Sequence, residues 1–428
     1  MHVMAAIDPS FIDEIKITSL GGKSFNLAQV TVTFKYEEDL FSPMVTAQVL
    51  VANTGVGDKQ AIYHALPIRG GESVSIKIPA NSDNNRDLEF TGENVLYVSS
   101  ITNVLIGPTR EIFTLNLVSR HAITNETSRV GGKFGEKISD SVKKIIKDHL
   151  KDQNEADVDE TENKYKFLGN MRKPFTLLTW LAAKSVPSKS DTATGSTAGY
   201  FFYQTQDGFH YKAIDGLCGQ EPVEKYMYSP GIIDNDDPRK DFRAIDLTTS
   251  RNHNFVENLE RGAYCSHRQY YNPRTGTFTT QKQGEFKVAD HATKMVTLGR
   301  KFEMSLPEEV SSAPSRLITA VADIGTLEKD QESAKQNADQ KLYHSQSMMR
   351  YNMIFNIVCV MSIPLNTNLI VGDVIDISIP KIDLKKEKTV EEEFSGLYLI
   401  KQLIHQYETN GSFTKLKLIK DTMGRRAK

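Results

Sequence analysis

The sequence predicts a mainly β protein with an α+β part. It should contain two related antiparallel β-barrel domains, an α+β connector domain and an insertion. Three observations predict this fold. Short runs of alternating apolar and polar residues fill the first 120 residues. Apolar residues at helical spacing follow them. The third observation is a repeat, in which the strand pattern of the first domain returns near the C-terminus.

The composition is that of a globular protein with several domains. The chain has 428 residues, of which 39% are hydrophobic and 25% charged, and domains usually have roughly 100–200 residues. Lys plus Arg is 52 and Asp plus Glu is 54, so charge gives no reason to expect nucleic acid or an anionic membrane as the main partner. We expect no signal peptide and no membrane anchor, and therefore a soluble protein made in a cytoplasm.

The cysteines Cys218, Cys265 and Cys359 are odd in number and far apart, and no CxxC pair occurs. This spacing favours free buried thiols over disulfides or a zinc site.

The first domain should consist of strands joined by tight turns. A hairpin is predicted around Gly21-Gly22-Lys23, because strand-like runs flank this turn signal. One run, Ser73–Ile78, alternates polar and apolar residues as a half-buried strand should, and Pro79 ends it. The predicted strands are IDEIKITSL, FNLAQVTVTFKY, MVTAQVLVA, ESVSIKIP, NVLYVSSITNV and EIFTLNLVS.

The connector should combine helices with a hairpin. Apolar residues of the stretch 138–150 recur at helical spacing and lysines lie between them, which predicts an amphipathic helix. A second, largely buried helix should begin near Pro174 and be closed by Pro187. Tyr200–Gln204 is a predicted strand, and Asp207-Gly208 is a strong hairpin signal after it.

The C-terminal part should return to β structure. A hairpin is predicted over residues 263–285, with its turn at Asn272–Gly276. Residues 286–330 have weak periodicity and contain prolines, so we interpret them as an insertion. A helix is predicted over 331–350, and strands should resume at Ile354 and continue to Ile419.

A repeat links the two ends of the chain. The segment GESVSIKIP (71–79) returns as GDVIDISIP (372–380), 301 positions later. Chance could explain this first match alone, since glycine, a short strand and proline recur in many β proteins. Two further matches at the same offset favour one β-barrel used twice: Leu96-Tyr97-Val98 with Leu397-Tyr398-Leu399, and Leu115, Leu117 and Val118 with Leu416, Leu418 and Ile419.

The sequence resembles the central baseplate hub protein of contractile-tailed phages, in its myovirus form. The resemblance covers nearly the whole chain, and the C-terminal run of residues 369–421 also resembles the hub region of type VI secretion spike proteins. It is carried by RKPFTLLTWLAAKSVP (172–187), AGYFFYQTQDGFHYKAIDGL (198–217), NFVENLERGAYCSHRQYYNPRTG (254–276) and the run LIVGDVIDISIP…SGLYLIKQLIHQY…TKLKLIKD (369–421).

The resemblance implies a domain layout and a structural role. Residues 1–121 would be the first tube β-barrel domain and 122–247 the α+β connector domain. Residues 248–285 and 341–423 would form a discontinuous second tube domain, and 286–340 an insertion domain. Three chains would form a homotrimeric ring with pseudo-six-fold symmetry, which joins a six-fold tail tube to a three-fold spike. Edge strands should pair or pack across chains.

The resemblance also implies partners and a location. The partners would be a trimeric central spike protein of a type that can carry a lysozyme, a tail tube or tube-initiator protein, and other baseplate proteins. DNA would be met only in passage through a polar pore. The protein would lie in the tail baseplate of the virion, after assembly in the host bacterial cytoplasm. Type VI spike proteins continue into a β-helical needle, whereas this chain stops seven residues after Asp421, so a needle should be a separate partner.

Other function classes remain as alternatives. A hub or spike component of a type VI secretion or related contractile injection system is the first. A tail-associated peptidoglycan hydrolase would need two carboxylates across a cleft, and a receptor-binding protein would usually lack the barrel repeat.

We expect no enzyme, no catalytic, cofactor-binding or metal-binding residues, and no cofactor. Cys265-Ser266-His267 could hold a thiol nucleophile and a base, but we expect a structural hairpin of the second barrel. Asp234–Asp237 and Asp157–Glu160 lack the spacing of a calcium loop and should be solvated loops. Gly131–Gly135 lacks the spacing of a phosphate-binding loop and should be the hinge between barrel and connector. Asp207-Gly208 should be only a turn, and Trp180 should pack in a core.

Overall fold

The structure is a computed structural model, and its secondary structure is mostly antiparallel β. It describes residues 10–53, 68–82, 85–107, 110–188, 197–228, 242–252, 254–279, 284–301, 307, 312–324, 340–381, 390–409 and 411–426. Over these ranges, no helix is both long and apolar enough to cross a membrane.

The first β unit follows the predicted strands closely. Pairing of Thr18 with Ser24 confirms the hairpin expected around Gly21-Gly22-Lys23. Alternate residues of each strand point into one core that includes Phe34, Val49 and Leu115, because successive side chains of a strand face opposite sides of the sheet. The strands are β1 Glu14–Thr18, β2 Ser24–Asn26, β3 Thr31–Asp39, β4 Thr46–Asn53, β5 Ser73–Ile78, β6 Leu88–Phe90, β7 Leu96–Ile106 and β8 Glu111–Ser119.

The connector confirms both predicted helices and the predicted hairpin. Its core packs α2 and α3 against β12 and β13. The helix of residues 138–150 changes to a π-helix after Ile145. Helices α1 and α4 were not predicted. The elements are α1 Arg120–Thr127, β9 Lys133–Phe134, α2 Ile138–Ile145 with its π-helical end Ile146–Leu150, β10 Asp157–Val158, β11 Phe167–Leu168, α3 Pro174–Ala182, β12 Tyr200–Thr205, β13 Gly208–Ala213 and α4 Ile214–Gly219.

The second half of the chain contains a second β unit and a separate four-stranded sheet. The second unit comprises β14 Glu224–Tyr228, β15 Arg243–Ala244, β16 Asp246–Arg251, β21 Ile357–Pro364, β22 Val374–Ser378, β23 Gly396–Glu408 and β24 Gly411–Lys420. Between β16 and β21 lie α5 Phe255–Glu260, β17 Cys265–Asn272, β18 Thr277–Phe278, β19 Glu285–Lys287, β20 Arg316–Val321 and α6 Gln340–Met353. Short 3-10 turns occur at Ala28–Val30, Gly92–Asn94 and Val288–Asp290.

The predicted hairpin of residues 263–285 forms, but it does not pair with the strands of the second β unit as we expected. Strand β17 pairs with β18, β19 and the parallel strand β20 in the four-stranded sheet. The local pattern of a hairpin predicts its turn but not which sheet it joins. The hairpin therefore belongs to a different sheet from the one expected, and the domain boundaries stay a prediction.

The region taken for an insertion is more closely tied to the second unit than expected. Leu298 is buried in the core of that unit, and its amide donates to Asp421 at 2.9 Å. Strands β14 and β15, from the range predicted as connector, also join the second unit through β22.

The two β units have the same strand order. In the first unit, neighbouring strands run β3-β4-β8-β7-β5-β1-β2, and in the second they run β16-β21-β24-β23-β22-β14-β15. Two strand directions differ: β14 lies parallel to both β22 and β15, whereas β1 lies antiparallel to both β5 and β2. The shared order confirms the expectation of two related β domains.

The register corrects one of the sequence matches. Tyr97 pairs with Val118 in the first unit, and Leu399 pairs with Ile419 in the second. Both middle strands then bulge, between Val98 and Ser100 and between Ile400 and Gln402. Structurally, Leu96-Tyr97-Val98 therefore corresponds to Tyr398-Leu399-Ile400. The match to Leu397-Tyr398-Leu399 was wrong by one residue. The offset is 301 between Ser73 and Val374, 302 between Tyr97 and Leu399, and 301 again between Val118 and Ile419, so similar residues at adjacent positions conceal a one-residue insertion and a compensating deletion.

A glycine turn before the matched strands is repeated in detail. Gly71 donates to the Val98 carbonyl at 2.8 Å, and Gly372 donates to the Ile400 carbonyl at 3.1 Å. Both glycines have left-handed φ, +90° and +95°. The surroundings differ, because a Cβ on Gly372 would lie 2.3 Å from the hydroxyl oxygen of Tyr203, whereas one on Gly71 would meet nothing within 4 Å.

This difference predicts unequal effects of the same substitution. Gly71→Ala should cost about 1 kcal/mol, the cost of a left-handed alanine, and Gly372→Ala should cost several kcal/mol more because Tyr203 must move. Thermal unfolding of the two variants measures the difference. Equal losses of stability would contradict the close approach of Tyr203.

Candidate assembly junction

The two β units are joined by one strand pairing. Strand β23 pairs antiparallel with β3, from Gln402 opposite Asp39 to Glu408 opposite Thr33. The N-terminal half of β23 pairs instead with β22 of its own unit. Because one strand pairs with both units, their strands form one continuous sheet. We regard this junction as the candidate functional site.

Side chains of β23 reach both hydrophobic cores. Leu403 lies in the core of the second unit, whereas Tyr407 lies in the core of the first beside Phe34, with ring centroids 5.8 Å apart. At the start of the pairing, Lys401 Nζ lies 2.5 Å from Asp39 Oδ2, with both side chains mostly buried. Burial of apolar area on both sides of the strand stabilises the junction.

Glu38 connects three parts of the protein at this junction. It is almost fully buried, and its Oε1 accepts hydrogen bonds from the Tyr36 hydroxyl and the Gln206 amide, both at 2.8 Å. Its Oε2 accepts from the Val371 amide at 3.0 Å. One carboxyl group therefore ties strand β3 to the connector hairpin and to the loop before β22. Removing it would leave buried donors without an acceptor.

Arg86 makes a second link across the same region. Its guanidinium binds both carboxylate oxygens of Asp207, at 2.7 and 3.2 Å, and its Nε donates to the Thr367 carbonyl at 2.9 Å. The Thr367 hydroxyl donates back to the Arg86 carbonyl at 2.6 Å. Asp207 is in the turn that the sequence predicted, but it also orients this arginine through a two-point contact.

Burial controls the protonation of groups in the junction. Burial raises the pKa of Glu38 from 4.5 to about 7, although the hydrogen bonds from Val371, Gln206 and Tyr36 oppose the shift. Burial also lowers the pKa of His405 to about 3, so this imidazole stays neutral beside the Thr414 hydroxyl. Glu38 was not among the residues predicted from the sequence. A charged residue at a core-facing position after Phe34 and Tyr36 was the available signal.

A buried ion cluster fixes α6 behind the second unit. Arg350 is fully buried and lies 3.0 Å from Asp215 and 3.2 Å from Asp421. It also donates to the Val296 carbonyl at 3.0 Å. These contacts join α6, α4 and the end of β24, and breaking such a cluster would leave uncompensated buried charge.

The motif Cys265-Ser266-His267, which could have held a thiol nucleophile, lies on strand β17. Cys265 and Ser266 are fully buried on β17, and burial raises the pKa of the Cys265 thiol, which opposes formation of a thiolate. Burial also raises the pKa of Cys218 and of Cys359. Of the described cysteines, all three are free thiols, as their spacing indicated.

The acidic motif Asp157–Glu160 was expected to be a solvated loop, but Asp157–Val158 forms β10 and pairs with β13. Asp157 and Asp159 both contact Lys212, at 2.5 and 2.9 Å, and no cluster of three or more metal-binding side chains is found among the described residues. Asp234–Asp237 lies outside the described residues. In the stretch Gly131–Gly135, Lys133–Phe134 forms β9 and pairs with β11. Trp180 packs at the edge of the connector core.

Comparisons with known proteins agree with this architecture. The chain is 21% identical over 331 residues to a protein named "Probable baseplate hub protein gp334" of Vibrio phage KVP40, covering 74% of this chain and 72% of that protein. No protein-family model matches the chain. The predicted resemblance to baseplate hub proteins is confirmed.

Solved structures show the fold. A tail protein from Neisseria meningitidis MC58 superposes with a TM-score of 0.53 at 12% identity, over 95% of this chain and 96% of that one. The chain shares its fold with this tail protein. The 43 kDa tail protein of prophage MuSo2 from Shewanella oneidensis gives the same TM-score at 10% identity, over 96% of this chain and 100% of the other. Both superpositions extend over nearly the whole of this chain.

The raised pKa of Glu38 predicts a pH-dependent contribution to stability. The folded protein binds this proton more tightly than the unfolded chain, so the contribution is full below about pH 4.5 and is lost as the pH rises through about 7. Glu38→Gln removes the titration. The stability advantage of the native protein over this variant should therefore shrink by about 1–3 kcal/mol between pH 5 and 8.

Thermal unfolding at several pH values measures this change. Glu89→Gln is the matched control, since Glu89 is half exposed and its ion pair with Lys77 lies on the surface. A Glu38→Gln variant whose stability keeps the same pH slope as the native protein would rule out the titration of Glu38.

Proposed function

We propose that this protein is the structural hub of a contractile phage tail baseplate. Three chains form a ring with pseudo-six-fold symmetry, which joins a six-fold tail tube to a three-fold central spike. The observation that carries the proposal is the presence of two β units with one strand order in one chain. Three such chains present six similar surfaces to one neighbour and three identical surfaces to another.

The comparisons support this role but do not identify the proteins that this chain binds. A similar protein of 21% identity is named as a probable baseplate hub, and two tail proteins share the fold along nearly their whole length. We infer a location in the virion tail and assembly in the host cytoplasm. The partners we propose are the trimeric spike, a tube or tube-initiator protein and other baseplate proteins, with DNA passing only through a polar pore.

The protein should act without catalysing a reaction. The thiol of Cys265 is buried, and Asp157 and Asp159 both form ion pairs with Lys212. The two units of this chain share a strand order and a packing pattern, which fits a structural role.

Particle images and mass measurements test the ring. Over a range of concentrations, and with the central spike protein of the same phage, the purified chain should form rings of three copies with six similar lobes. A chain that stays monomeric or dimeric with the spike bound, or that forms a true six-fold ring of six copies, would refute the proposed hub.

Activity assays test the expected lack of catalysis. We expect no turnover of peptidoglycan or of generic ester and peptide substrates by the purified protein. Turnover that survives purification and disappears with a single substitution, for example Cys265→Ser, would overturn the structural role.

A further inference from the structure

One face of strand β17 carries polar side chains into the interior. Ser266, Arg268 and Tyr270 alternate along this strand, so they point to the same side of the four-stranded sheet. They are 0%, 2% and 3% exposed. Helix α6 covers this face, because the Tyr270 hydroxyl lies 3.1 Å from His344 Nδ1 and the Arg268 guanidinium lies 3.3 Å from the Met348 sulfur. A cation is therefore enclosed between the sheet and α6.

The Arg268 guanidinium has few of the contacts that a buried cation requires. Its Nε and Nη1 have no hydrogen-bond partner, and among the described residues no carboxylate pairs with it. Since Nε carries one N–H and Nη1 carries two, three donors are unused, and the Met348 sulfur is only a weak acceptor for the remaining nitrogen. An unpaired charge is costly in the interior, so this site requires an acceptor with negative charge.

Positive charge surrounds this guanidinium. Burial lowers the pKa of Arg268, and the nearby Arg316 lowers it further, while the Tyr270 hydroxyl opposes the shift. Burial also lowers the pKa of His344 from 6.5 to about 4, and the charges of Arg268 and Lys184 add to that effect. No carboxylate of the described residues offsets the positive charge at either side chain.

Two further buried polar groups close to Arg268 also lack partners. The Ser266 hydroxyl is unpaired, and Arg316 lies opposite Ser266 on β20. On α6, one helical turn after the sulfur that contacts Arg268, the amide nitrogen of Asn352 is buried and unpaired, although the carbonyl oxygen of this side chain accepts from Arg261. Buried polar groups in folded proteins are nearly always paired. Unpaired donors that collect in one place therefore indicate a binding site for an acceptor.

The other half of the contact between the sheet and α6 is apolar and packed. Phe286 and Val288, on β19 and just after it, form a separate core with Met295, Met349 and Met353. This core holds α6 against the sheet without polar groups. The unpaired donors are thus confined to the side of α6 that faces β17.

We propose that an inorganic oxyanion of the size of phosphate or sulfate binds between β17 and α6, held by the guanidinium of Arg268 and the hydroxyl of Ser266. Arginine suits this ligand, because its planar guanidinium presents several N–H groups to the oxygens of an oxyanion. A guanidinium that is 2% exposed can contact an enclosed small ion but not a nucleic-acid backbone. The ion would join the four-stranded sheet to α6, which Arg350 ties to Asp421 at the end of β24.

Thermal unfolding of the full chain in matched buffers tests the site. At equal ionic strength, low millimolar phosphate or sulfate should raise the unfolding midpoint above its value in chloride, after dialysis against chloride. The rise should saturate, because a ligand that binds only the folded state stabilises it by mass action. Exclusion of these salts from the protein surface also stabilises proteins, but that effect does not saturate at low concentration and should be the same in every variant.

Two variants remove the groups of the proposed site. In chloride, Arg268→Met should unfold at the temperature of the native chain or above it, since an apolar side chain replaces an unpaired buried charge. In phosphate, the native chain should be the more stable of the two. Phosphate should bind the native chain at least about tenfold more tightly than Arg268→Met, and roughly threefold more tightly than Ser266→Ala.

Arg261→Met is the matched control. It removes an arginine from the same part of the chain, but this side chain is 49% exposed and already forms an ion pair with Glu257. Its response to phosphate should equal that of the native chain. Hydrogen exchange should also slow in β17 when phosphate replaces chloride, in the native chain and in Arg261→Met but not in Arg268→Met.

Several results would overturn the proposed site. One is the absence of any saturable difference between chloride and phosphate or sulfate. Another is an equal response of Arg268→Met and the native chain. A large loss of stability or failure to fold of Arg268→Met in chloride would show that the arginine already has a partner within the protein. Unchanged phosphate affinity of Ser266→Ala would remove the hydroxyl from the site. None of these measurements requires a ring or a spike, so they leave the proposed hub untouched.

Discussion

The architecture depends on one strand that serves two sheets. Strand β23 pairs with β22 in its first half and with β3 in its second half. Its side chains enter both cores, as Leu403 and Tyr407 show. Because backbone hydrogen bonds and apolar burial act along the same strand, the two units cannot rotate against each other without breaking both.

Duplication of a β unit explains why similar strands have different surroundings. The glycine turn and the bulge of the middle strand are retained in both units. Around that common frame the contacts differ: Tyr203 presses against Gly372, while the space beside Gly71 is open. Tyr203 of the connector lies beside Gly372, and nothing lies within 4 Å of the Cβ position of Gly71. The copies therefore have different packing constraints although they share a backbone pattern.

Buried polar groups hold the connector to this frame. Glu38 and Arg86 join the connector hairpin to both units, and Arg350 joins α4 and α6 to the end of β24. Such clusters are weak sources of net stability, but they tolerate few alternative arrangements because an unpaired charge is costly in the interior. The apolar cores supply the stability, and these clusters favour one relative placement of the parts.

The sequence determined the local structure and the existence of a duplication. Alternation of residue types is enough to predict strands such as Ser73–Ile78, and helical spacing is enough for residues 138–150, because both depend on neighbours along the chain. Tertiary structure decided the one-residue shift at Leu96, the separate sheet of Cys265–Asn272 and the role of Glu38. Each of these depends on which distant strand lies alongside, and a local pattern is compatible with more than one such partner.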